Sequence, residues 1–248
     1  MFRRILATAL VAGLLGGLGI SVVQEFTTTP IILHAEKYEN APANSTSGGA
    51  SHHGALKTGL SLTSPAHAHG PEAAAEEAEG WGPEDGFERT AYTALANVLT
   101  GVGFALILVA CFALSGRNVT GREGLLWGIA GFGIVSLAPS LGLPPEVPGA
   151  MAAELTARQG WWFLCVGATA AGLWVMAFRS GVAWMALGIV LIAAPHLIGA
   201  PHPAELGGNV PPELAAHFVA ASLVTAAIFW VAVGWLSGTL WDRFKSAA

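Results

Sequence analysis

The stretch GWWFLCVGATAAGLWVMAFRSGVAWMALGIVLIAAPHLI (160–198) decides the fold. Two apolar runs, Gly160–Phe178 and Val182–Ile198, are separated only by Arg179, Ser180 and Gly181. Each is close to the ~20 residues that a helix needs to cross a bilayer. Three residues between such runs leave room only for a tight helical hairpin. A backbone at membrane depth must satisfy its own hydrogen bonds, and within a single segment only a helix does so. Similar runs lie at 91–114, 125–143 and 214–236, and the chain starts with another, ILATALVAGLLGGLGISVV, behind Arg3 and Arg4. Of the 248 residues, 53% are hydrophobic and 11% charged, against about 25% charged in soluble domains. The expected fold class is therefore all-α: a polytopic transmembrane helical bundle.

The first run has no small-x-small cleavage pattern after it and reads as an uncleaved anchor helix over 1–23. Six spans follow from the count. Five would require the first run to be removed or one hairpin to be re-entrant. Residues 24–90 form the one sizeable polar region, Asn/Ser/Gly/Ala-rich near 40–65 and acidic at HAHGPEAAAEEAE (67–79). That composition cannot bury a core, so most of it is expected to be a flexible outer loop. Residues 91–241 then form a five-helix membrane core with outer loops near 144–159 and 199–213, and 242–248 a cytoplasmic tail.

Basic residues orient the chain. With the N-terminus in the cytoplasm, Arg3, Arg4, Arg117, Arg122, Arg179, Arg243 and Lys245 fall inside, seven of the eleven Lys and Arg, although the inner segments are short. This is the positive-inside bias. Fourteen of the sixteen acids fall on the other side, and so do all eight histidines. The expected topology is a multi-pass chain with both termini in the cytoplasm.

The histidines point to metal. Glu213 and His217 are four apart at the start of the last span, so they share one helical face. A carboxylate and an imidazole at that spacing can share a divalent ion, and imidazole suits cobalt, nickel and zinc. His196 sits near the outer end of the preceding span, and His202 in the connecting loop, so the four groups can converge. His67 and His69, with the acids after them, form a short metal-capture tract, and His34 is a weaker site of the same kind. Each also has a plainer role: Glu213 as a helix cap after two prolines, His217 as an interfacial anchor, the loop histidines as solvated linker. Glu154 and Arg158 are four apart and are expected to pair with each other. Cys111 and Cys165 lie inside apolar runs and read as inert thiols.

APSLGLPPEVPG (138–149) and APHLIGAPHP (194–203) resemble each other, each followed by a Glu-Leu pair, which suggests a parallel repeat of two helix pairs. Pro139 and Pro195 would interrupt the helical ladder near the outer surface. Backbone carbonyls freed there are tolerated only beside protein or water, which predicts a cavity at that level. The chain has no phosphate-binding GxxxxGK[ST], no HExxH, no CxxC and no dinucleotide fingerprint. Nothing in it suggests an enzyme, a permanently bound cofactor or a nucleic-acid surface.

MFRRIL (1–6), VQEFTTTPIILHAEKYE (23–39), DGFERT (85–90), ANVLTGVGFAL (96–106), GLLWGIAGF (124–132), LAPSLGLPPE (137–146) and PHLIGAP (195–201), in this order, resemble the CbtA family of cobalt transporter subunits. The resemblance runs over nearly the whole chain. It implies a role in cobalt uptake, a link to cobalamin biosynthesis, and a partner of the CbtB kind, a small one-span subunit bearing histidine. That family is usually described with five spans, whereas length and charge here favour six. The reading is thus inward movement of a divalent transition metal, Co²⁺ or Ni²⁺, across the bilayer. Its alternative is a metal-binding or regulatory membrane subunit that serves a separate permease.

Overall fold

The computed structural model describes residues 1–39, 83–203 and 208–245. Seven helices account for most of them: α1 (Phe2–Phe26), α2 (Thr28–Glu39), α3 (Phe87–Ser115), α4 (Gly121–Ser140), α5 (Leu155–Phe178), α6 (Val182–Ile198) and α7 (Pro212–Arg243). Among the described residues there is no strand, only an isolated bridge between Ala150 and Gly208. α1, α3, α4, α5 and α7 are each long and apolar enough to cross a membrane. α6 has 17 residues, about 26 Å of helix against a ~30 Å hydrocarbon core.

Successive spans run antiparallel. Gly13 and Gly17 of α1 meet Val102 and Val98 of α3, Gly124 and Gly128 of α4 meet Gly238 and Gly234 of α7, and Gly172 of α5 meets Gly188 and Ile192 of α6. The start of α1 and the end of α7 share one end of the bundle. There Arg4 donates from Nε to the Trp241 carbonyl at 2.9 Å and lies 3.7 Å over the Trp241 ring. Lys245 reaches Asn118 at the same end, at 2.6 Å. Termini on one side require an even number of passes, so α6 counts as the sixth, returning along α5.

Glycine sets the contacts. Lipid removes the hydrophobic drive for helices to associate, and small residues that let backbones touch take its place. A Cβ added at Gly234 would stand 2.7 Å from Gly128 Cα, and one at Gly124 2.7 Å from Gly238 Cα. The GxxxG pairs Gly124/Gly128 and Gly234/Gly238 therefore pack face to face. α1, α3, α4 and α7 form a four-helix unit whose core includes Ala9, Ala12, Val109, Phe112, Trp230, Val233 and Trp241. The α5–α6 hairpin attaches to the far end of α4, where Trp161 and Cys165 pack with Ala138, Leu143 and Ala200. The two similar Ala-Pro-x-Leu segments thus meet around one tryptophan.

Four details differ from the sequence expectations. The anchor helix continues to Phe26, and residues 28–39 form α2 instead of loop. Pro30 has no N–H for the Phe26 carbonyl, so the helix breaks at Thr27 and restarts. Ile31 and Ala35, one turn apart, then bury against Val147 and Phe218. Arg158 pairs with Glu146 at 2.7 Å and not with Glu154. The Glu154 side chain instead accepts from the Thr156 and Ala157 amides and caps α5, because an N-cap carboxylate satisfies amides that the helix leaves orphaned. At Pro139 the ladder does change, with a π-helical turn at Gly133–Leu137. α6, by contrast, runs through Pro195 to Ile198: so close to a helix end, the ring costs little of the ladder.

Candidate functional site

Inside the four-helix unit, toward the end remote from the termini, lies a partly open cavity of about 320 Å³. Its wall includes Gln24 of α1, Thr28 of α2, Asn97, Thr100 and Phe104 of α3, Val135 and Ser136 of α4, and Ser222, Thr225, Phe229 and Trp230 of α7. Amides and hydroxyls inside apolar spans are costly unless they pair or serve a path. Here they are organised. Asn97 Nδ2 donates to Ser21 Oγ at 3.0 Å and to Gln24 Oε1 at 2.6 Å, while Ser21 donates to the Gly17 carbonyl at 2.9 Å. Thr27 and Thr225 join hydroxyls at 3.1 Å across α1 and α7. Trp230 Nε1 donates to Ser136 Oγ at 3.3 Å.

The π turn of α4 contributes to this wall. Pro139 withholds the amide that the Val135 carbonyl would use in an α-helix, the turn widens, and Val135 and Ser136 line the cavity. Insertions of this kind are frequent at functional sites. The floor is apolar. The Phe104 and Trp230 rings lie 4.7 Å apart, and below them Val233, Val109 and Phe112 are buried.

Of the histidines and acids named from the sequence, those within the described residues lie around the remote end rather than in this wall. His196 is half-buried at the end of α6, with its Nε2 3.9 Å from Cys165 Sγ and its ring 5.7 Å, edge-on, from Trp161. Trp161 is held in turn by a bond from Nε1 to the Pro195 carbonyl at 3.1 Å. His202, Glu213 and His217 are exposed, and so is His34 on α2, tilted against Tyr38 at 5.7 Å. His67 and His69 lie outside the described residues. Among the described residues no three His, Cys, Asp or Glu side chains come together to hold one ion. The convergence of His196, His202, Glu213 and His217 is therefore not a closed cage; of the four, only His196 has a second soft donor against it.

Ion pairs frame this end. Arg89 bonds both Glu36 oxygens and also Asp85, at 3.0 Å, tying α2 to the start of α3, and Thr90 donates to Glu25 at 3.1 Å. In the loop after α4, burial pushes the Glu146 carboxyl above its ordinary range, an effect that Arg158 opposes. The Glu154 carboxyl is held below its range by the two cap amides.

Sequence reasoning missed two things. Cys165 and His196 lie 14 and 15 residues from the Arg179–Gly181 turn, so counting outward along the hairpin sets them nearly level, although nothing in either run marks them as partners. Gln24, Asn97, Ser136 and Thr225 are polar side chains within or near the ends of otherwise apolar helices, and together they mark the cavity.

A family model described as "Probable cobalt transporter subunit (CbtA)" matches residues 2–242. No curated protein and no solved structure matches the chain.

Proposed function

The chain belongs to the family of probable cobalt transporter subunits, CbtA, and from that premise we propose that it moves a divalent transition-metal ion, Co²⁺ first, inward across a bacterial inner membrane. The observation that supports this most is the amide- and hydroxyl-lined cavity within an apolar bundle, beside a π turn. The remote end, with its acids and histidines, is the outer face. There the 24–90 segment, with His67 and His69, raises the local concentration of cation. His34, His196, His202, Glu213 and His217 then act as single stations, each taking the place of a water or two that the ion regains on release. Conduction needs sites that hold weakly and release, which scattered ligands suit better than a cage. His196 has the strongest hold, because Cys165 can add a soft sulfur. No enzymatic step is required of the chain.

The test is radiocobalt uptake by cells expressing the protein, with and without His196→Ala together with His217→Ala. Uptake is expected to fall several-fold in the double variant. Imidazole and carboxylate bind metal in their deprotonated forms, so uptake by the unaltered protein should also fall as the medium is acidified. Unchanged uptake in the double variant removes these stations from the path.

A second reading has an observation behind it, since the family is described as a subunit. In that reading the chain binds metal and serves a separate permease, with a small one-span, histidine-bearing partner of the CbtB kind. Uptake into liposomes holding the purified chain alone separates the two.

A further inference from the structure

We propose that the cavity among α1, α3, α4 and α7 takes the cation with its first shell of water in place, recognising the coordinated waters rather than the bare metal. This rests on the transport reading above and names the species at its central site. The donors in the described wall are neutral: the Gln24 and Asn97 amides and the Thr28, Thr100, Ser136, Ser222 and Thr225 hydroxyls. Among the described residues no carboxylate, imidazole or thiol lines it. Such groups cannot replace the hydration of a dehydrated divalent ion, for which removal from water is very costly. They are well suited to accept hydrogen bonds from waters that the ion polarises, since bridged contacts are nearly as favourable as direct ones.

The bonding inside the wall sets the sign. Asn97 spends both amide hydrogens on Ser21 and Gln24, so what it offers a guest is its carbonyl oxygen, an acceptor. Among the described residues neither Thr100 nor Ser222 makes a side-chain hydrogen bond, which leaves both hydroxyls for the guest. Size agrees: six waters at ~30 Å³ each fill ~180 Å³, within the 320 Å³ available.

The route onward is marked below the apolar floor. Thr8 of α1 and Ser237 of α7 are wholly buried, and their hydroxyls have no hydrogen-bond partner. The antiparallel register that sets Arg4 on Trp241 and Gly16 on Val233 brings them level with each other. A buried hydroxyl without a partner is destabilising. Both gain partners if the Phe104–Trp230 floor parts and a hydrated ion passes.

Hexaamminecobalt(III) tests this, because its ammine ligands exchange too slowly to be displaced and it can bind only through that outer shell. The full chain in nanodiscs is titrated with hexaamminecobalt(III) and, separately, with Co²⁺. Saturable hexaamminecobalt binding is expected, weakened about tenfold by Thr100→Val with Ser222→Ala and unchanged by Leu99→Ala, a lipid-facing change on the same helix. The hydroxyl changes are nearly isosteric and break no bond in the fold, so the folded fraction by circular dichroism should stay level. Binding of Co²⁺ without any binding of hexaamminecobalt overturns the hydrated-ion proposal and leaves the transport reading standing. Binding of neither ion overturns both.

Discussion

At the scale of single residues, Glu154 shows how one side chain can be misread from spacing and still be testable. Its distance from Arg158 suggests an ion pair, yet at a helix start the amides of Thr156 and Ala157 stand nearer than any side chain. These two bonds favour the charged carboxylate, so its folded pKa lies below the unfolded value. The stabilisation is therefore complete above the ordinary carboxylate range and is lost as pH falls through the depressed value. Glu154→Gln should lower the thermal midpoint at pH 7 while bringing the two proteins closer together in acid. A constant gap between their melting curves from pH 7 down to pH 3 would contradict the cap. His196 teaches the converse. Its position near an outer helix end was legible, but its partner Cys165 was not, because a thiol in an apolar run has no periodicity that marks it. Only the hairpin register brings the two to 3.9 Å.

At the scale of elements, glycine decides which helices touch. Gly234→Ala places a methyl against the backbone of Gly128, 2.7 Å away, where no side chain can yield. Gly103→Ala, on α3, meets nothing within 4 Å. Overpacking costs ~1–3 kcal/mol, whereas Gly to Ala in an open helix gains up to ~1 kcal/mol. The two substitutions should thus move stability in opposite directions in a denaturant titration of the detergent-solubilised protein. Equal effects would mean that α4 and α7 are not held backbone to backbone. Of the elements, five long spans and a shorter sixth could be read directly, because apolar length sets them. α2 could not: it is a short amphipathic piece beyond a proline, held by Ile31 and Ala35 against a helix nearly two hundred residues later. The proline argument succeeded at Pro139, where the π turn adjoins the cavity. It failed at Pro195, because an interruption so near a helix end leaves the helix intact.

At the scale of the whole molecule, the bundle divides into a four-helix unit with a partly open cavity, where amides and hydroxyls stand among apolar side chains, and a hairpin that bears the Cys165–His196 pair. The charge pattern alone indicated an even number of passes, and the contact of Arg4 with Trp241 places both termini at one end, as that pattern requires. The cavity was legible only as a level in the membrane, since its amides and hydroxyls come from distant runs and converge only when the antiparallel order is known. With the outer face gathering cations and the floor closed by Phe104 and Trp230, the arrangement corresponds to a path filled from one side. The most direct measurement is radiocobalt accumulation in liposomes reconstituted with the purified chain, with and without a CbtB-like partner, against protein-free liposomes. Saturable accumulation by the chain alone, reduced by Thr100→Val with Ser222→Ala, is the predicted result. Accumulation no greater than in protein-free liposomes, with the partner present or absent, would contradict it.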